Sequence, residues 1–92
     1  MNRGRYADYS GTITAGGTAQ TIIQANPSRH GVLVMNNSDT DMVLGVGHTA
    51  TATKGIVLVP GAYWESPTNF IPTDQISLFC ATTSKEFTAY EA

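Results

Sequence analysis

The chain of 92 residues has one cysteine, two histidines and five basic residues. Cys80 stands alone, so no disulfide can close within the chain. Zinc sites take four ligands, usually in closely spaced pairs. His30, His48 and Cys80 are far apart in sequence, and no metal site is expected. Asp39 and Asp41 are one residue apart, as in some calcium loops. The EF-hand succession of oxygen ligands with its glycine and closing glutamate is missing, so they read as turn formers. The net charge is −2 without a basic stripe, which argues against nucleic acid as a partner, because such binders displace counterions with clustered Lys and Arg. No apolar run approaches the roughly 20 residues of a membrane-spanning helix. Met1-Asn-Arg-Gly-Arg-Tyr6 lacks the apolar centre of a signal peptide, so synthesis in a cytoplasm is expected.

Catalytic patterns are equally scarce. A nucleophile needs a base beside it, and the base needs an orienting group. Neither histidine sits in a Gly-x-Ser-x-Gly or comparable context. Both flank glycines at expected strand ends. Glycosidase chemistry needs two carboxylates facing one cleft, and the spacing of Glu65, Asp74, Glu86 and Glu91 pairs none of them. The expectation is a protein without enzymatic activity and without a cofactor.

Charge is thin overall. Charged residues make up 13% of the chain, against about a quarter in ordinary domains. Threonine and alanine take their place. One reading is a surface covered by neighbouring subunits. The other is a pleated sheet rich in threonine, which suits strands. A domain this short buries only about 60–65% of its unfolded surface. Small domains often gain stability from metals, disulfides or oligomerisation.

Apolar runs separated by turn residues organise what remains. Val32–Met35 and Met42–Val46 flank the polar knot Asn36–Asp41, which predicts a central antiparallel hairpin. Tyr9–Ala15 and Thr18–Gln24 flank Gly16-Gly17 and predict a first hairpin. Pro27 marks a turn, and residues 48–54 form a Thr/Ala loop. Gly55–Val59 reads as a strand broken by Pro60-Gly61, with extended structure resuming at 62–66. Residues 67–74 form a loop with Phe70 and Ile71 folded inward. Gln75–Ala81 and Glu86–Tyr90 are the last strands, and Cys80 faces the core. Residues 1–8 form a flexible arm, and 9–92 a single domain. The class is therefore all-β. About eight short antiparallel strands form a jelly-roll-like sandwich or a partly open barrel, with hairpin neighbours dominating.

Tyr63-Trp64 is the most informative pair. Neighbours on a strand point to opposite faces, so one ring belongs to the core and the other to the outside. An exposed ring suits a subunit contact or a sugar-stacking platform. Light scattering is expected to show dimers or trimers.

The order of short motifs carries a likeness. It runs Arg29, Val32-Leu-Val-Met-Asn-Asn-Ser38, Met42-Val-Leu-Gly-Val-Gly47, Gly55, Leu58-Val-Pro-Gly61, Pro72-Thr73, Ile76-Ser-Leu78 and Phe87-Thr-Ala-Tyr-Glu91. This resembles small β-rich virion proteins of tailed bacteriophages over roughly residues 10–91. The resemblance implies a small β-sandwich that oligomerises and attaches to a phage particle as a head-decoration or cement protein. The same family includes minor tail and fibre-base proteins. The implied partners are other copies of the chain and the major capsid protein or another virion protein. Arg3 and Arg5 of the arm, with Tyr63 and Trp64, are the expected contacts. A carbohydrate-binding module for host glycans is the alternative.

Overall fold

Short runs rich in Val and Ile and bounded by turn residues favour a pleated, half-buried surface over a helix, because β-branched side chains pack well on a sheet. A computed structural model describes residues 7–92, and among them there are nine strands and no helix. They are β1 (Ala7–Asp8), β2 (Gly11–Thr12), β3 (Gln20–Ile23), β4 (Val32–Asn36), β5 (Met42–Val46), β6 (Ile56–Leu58), β7 (Tyr63–Glu65), β8 (Ile76–Cys80) and β9 (Glu86–Glu91). Ala7 and Asp8, expected in the arm, pair with Glu91 and Tyr90 and so belong to the sheet.

Two antiparallel sheets result. One has the order β1-β9-β4-β7, with β2 also along β9, and the other the order β3-β8-β5-β6. β1 and β2 act as one interrupted strand. Between them the Tyr9 N–H donates to Ala89 O at 2.7 Å, and the Ala89 N–H donates to Ser10 Oγ at 3.0 Å. Counting β1 and β2 as one, the partners are nested: β1/β2 with β9, β3 with β8, β4 with β7, and β5 with β6. That is one long hairpin of eight strands. It is rolled up by the further pairings of β4 with β9 and β5 with β8. The fold is a jelly-roll sandwich, with two separate sheets instead of a barrel.

The core lies between the sheets and follows the two-residue period of a strand. Val32 and Val34 of β4 and Phe87 and Ala89 of β9 point inward from the first sheet. Met42, Leu44, Ile76, Leu78 and Cys80 meet them from the second. Cys80 is buried, as its alternation predicts.

β5 is buried on both faces, because the loop after it folds back across the sheet. The Ser77 hydroxyl donates to His48 O at 2.7 Å and accepts from the Ala50 N–H at 2.9 Å. Gly45 leaves room for this loop. A β-carbon there would lie 2.5 Å from His48 O and Ser77 Oγ and 2.8 Å from the Ala50 nitrogen. Gly45→Ala is therefore expected to cost about 1–3 kcal/mol, read from the urea midpoint. Gly11→Ala, whose β-carbon would sit 3.8 Å from Phe87, is expected to be near neutral and serves as the control.

Neither expected hairpin forms. β4 and β5 lie in different sheets, so Asn36–Asp41 is an arch across the sandwich. The buried Asn36 side chain holds it. Its Nδ2 donates to Thr40 O and Leu58 O, both at 2.7 Å, and its Oδ1 accepts from the Ser38 N–H at 2.9 Å. The first glycine pair is also an arch between sheets. It sits on the turn joining β8 to β9, with Gly17 N–H to Cys80 O at 2.8 Å and Ser84 N–H to Ile13 O at 2.7 Å. A β-carbon on Gly16 would come within 2.6 Å of Ala81 O. Among the described strands, β5 and β6 are the one sequence-adjacent pair that hydrogen-bonds. Phe70 corrects a third expectation, being 68% exposed. Arg29 holds the following segment by the carbonyls of Pro72 and Asp74, which leaves the 67–70 turn outside. Ile71 is half-buried.

Candidate functional site

The first sheet has an outer face, and the register shows what it displays. Leu33 pairs with Tyr90 on one side and Glu65 on the other, and Tyr90 pairs in turn with Asp8. The next outward row is Thr88, Met35 and Tyr63. Side chains two apart share a face, so Leu33, Met35, Tyr63 and Tyr90 form one apolar, aromatic surface. Leu33 and Met35 are half-buried, Tyr90 is 37% exposed and Tyr63 is 62% exposed. Trp64 takes the opposite direction. It pairs with Val34 and packs against the core. The aromatic pair thus divides as its adjacency requires. Asp8 and Glu65 frame the face with negative charge. The Ser10 side chain and N–H both bond Asp8 and hold its carboxyl below the usual carboxylate range.

A cleft of about 450 Å³ opens at one end of this sheet, between His30, Leu33, Glu65, Ser66, Thr68 and Ile71. Its serine is engaged with the backbone. Ser66 Oγ accepts from the Val32 N–H at 3.0 Å, and the Ser66 N–H donates to Val32 O at 2.9 Å. His48 is elsewhere, exposed on the loop over the second sheet, with Nδ1 3.3 Å from Thr49 O. Asp39 pairs with Lys85 at 2.7 Å, and the hydrogen bond from Lys85 is the main reason its carboxyl titrates low. Among the described residues, no three His, Cys, Asp or Glu side chains are grouped to hold a metal ion. None of the described helices could cross a membrane, since there are none. Arg3 and Arg5 lie outside the described residues.

Two buried polar knots belong to no catalytic or metal-binding motif. Arg29 and Glu91 form an ion pair at 2.7 Å with side chains 0% and 9% exposed. The guanidinium also donates to Gln24 O at 2.7 Å, Pro72 O at 2.6 Å and Asp74 O at 2.8 Å. This knot ties β9 to the end of β3 and to the approach to β8. Asn36 is the second. Both were legible in period two: Asn36 is in phase with inward Val32 and Val34, and Glu91 with inward Phe87 and Ala89. They hold the framework together.

A jelly-roll sandwich carrying an aromatic sheet face with a carboxylate at each end of one row is thus the class that fold and surface define. No protein-family model, no curated protein and no solved structure matches the chain.

Proposed function

We propose that the chain is a structural virion protein of a tailed phage, with no enzymatic activity. It decorates the capsid as a cement protein, forms homo-dimers or homo-trimers, and binds the major capsid protein or another virion protein at the shell surface. The observation that carries this reading is the outer face of Leu33, Met35, Tyr63 and Tyr90. Contiguous apolar surface rimmed by polar residues marks contact surfaces, and exposed tyrosines are efficient anchors for them. The jelly-roll topology supports it, since that architecture serves in viral shells. The low charge supports it too, because a cement surface is largely covered in place. The motif order, which resembles that of small phage virion proteins, supports the same reading. Many symmetric copies bind together, so weak single contacts are reinforced by effective concentration.

Adding the purified chain to particles stripped of it tests the proposal. Saturable binding is expected, and Tyr63→Lys is expected to weaken it about tenfold or more, the usual loss at an anchor residue. Unchanged binding by the variant would remove the face from the account. Imaging the refilled particles tells head from tail, and so separates a cement protein from a minor tail or fibre-base protein.

The exposure of Tyr63 also favours a second reading, a module that stacks host glycans on this ring. Jelly rolls occur in lectins as well. Binding on a glycan array that Tyr63→Phe keeps and Tyr63→Ser loses would establish it.

A further inference from the structure

Sheet edges expose unpaired N–H and C=O groups, and proteins usually blunt them with charge, proline or side-chain cover. The two sides of this sandwich differ in that respect. At the β1/β2 and β3 side the Gln20 side chain covers the backbone. Its Oε1 accepts from the Thr14 N–H at 2.9 Å, and its Nε2 donates to Thr12 O at 3.3 Å. At the opposite side, β6 and β7 end their sheets, and no other described strand pairs with their outer edges. These two edges are neighbours. The corner between them is four residues, 59–62, with the Ala62 N–H donating to Val59 O at 2.8 Å. Asn36 anchors both ends of the corner through Leu58 O and Ala62 O.

The chain here is uncharged from Gly55 to Trp64. Four of the seven large exposed hydrophobics of the described chain fall in this stretch: Ile56, Val57, Val59 and Tyr63. Val57 is 58% exposed at the centre of β6. The edge is short, three residues in each strand with Pro60 at the corner, but it is apolar and carries no charge, and an exposed edge of that kind is a template for another strand.

We infer that β6 pairs antiparallel with β6 of a second copy, joining the two four-stranded sheets into one of eight, with β7 brought alongside its own copy. A second copy fits better than a foreign strand for two reasons. One two-fold axis through Val57 closes both neighbouring edges together, whereas a single peptide covers one and leaves the other open. The uncharged strip also meets itself without like-charge repulsion. Such an isologous contact closes at the dimer. It does not depend on the virion reading, and would hold for this chain in any larger assembly.

Sedimentation of the full chain across micromolar concentrations tests the inference. The native chain is expected as a dimer. Val57→Lys brings two ammonium groups together on the axis, and dissociation is expected to become at least about tenfold easier. The substitution is at an exposed site, and an unchanged far-UV dichroism spectrum checks that the variant folds. Val57→Cys is expected to cross-link as a dimer under mild oxidation, since facing residues of antiparallel strands lie about 4.5–5.5 Å apart, within disulfide reach. Phe70→Cys, equally exposed but off the edge, is expected to cross-link far more slowly. A native monomer, a dimer unaffected by Val57→Lys, equal cross-linking at position 70, or open-ended growth beyond the dimer would each overturn the inference.

Discussion

Arg29→Met is expected to lower the unfolding free energy by about 3–5 kcal/mol, the usual cost of removing one partner of a buried ion pair. A chain of this length has a total stability of roughly 5–14 kcal/mol, so the loss is a large part of the whole. At roughly 4–8 °C per kcal/mol for a domain this size, Tm falls by about 12 °C or more. The effect is large because one guanidinium serves four acceptors. Without it the Glu91 side chain is stranded at 9% exposure, and the carbonyls of Gln24, Pro72 and Asp74 lose their donor. Arg29→Met with Glu91→Leu is expected to recover part of the loss, because no buried charge is then left over. Arg29→Lys is expected to fall between, since an ammonium cannot reproduce the planar fork. Thermal and urea unfolding followed by circular dichroism measures the series. A loss below about 1 kcal/mol for Arg29→Met, the range of an exposed pair, would show that the knot is not a determinant of the fold.

Asn36→Asp has the second largest expected effect. The two side chains have nearly the same shape, so the change isolates hydrogen bonding. Nδ2 donates to two carbonyl oxygens, Thr40 O and Leu58 O. A carboxylate in its place sets oxygen against oxygen in a fully buried site, at a cost of about 3 kcal/mol or more at neutral pH. The pH dependence has a definite sign. Burial raises the pKa of the introduced carboxyl above its unfolded value, so the folded variant takes up a proton as pH falls. It is then expected to regain stability between neutral pH and about pH 4. The native chain runs the other way. Asp8 and Asp39 titrate low when folded, so their contribution is present above the unfolded carboxylate pKa and is lost as pH falls through the folded one. Urea titrations of both proteins at several pH values measure this. A variant that loses stability on acidification in parallel with the native chain would contradict the assigned role of Asn36.

Local chemistry explains why the strands were legible and their partners were not. Val32–Met35, Met42–Val46 and Ile76–Cys80 are extended because of what they contain, and a short window detects that. Asn36–Asp41 has the composition of a hairpin turn, and it has equally the composition of an arch between sheets. What decides between them is whether the Asn36 amide finds the carbonyl of Leu58, 22 residues away in sequence. Gly16-Gly17 is similar. Its backbone suits a hairpin, yet it is drawn against Ala81 and Thr83 at the far end of the chain. In a nested topology most pairings are long-range, and local pattern carries no information on them. The site divides along the same line. That Tyr63 and Trp64 face opposite ways follows from adjacency alone. That Tyr63 joins Leu33, Met35 and Tyr90 on one face requires the register of three strands.

Counting copies on the particle tests the central claim most directly, namely that this sandwich exists to be touched by other virion subunits. If the proposed function holds, quantitative mass spectrometry of purified particles from the source of the chain, read together with reconstructed images, is expected to find it in hundreds of copies on the shell, with the sheet face of Tyr63 turned to the capsid. Its absence from those particles would contradict the account.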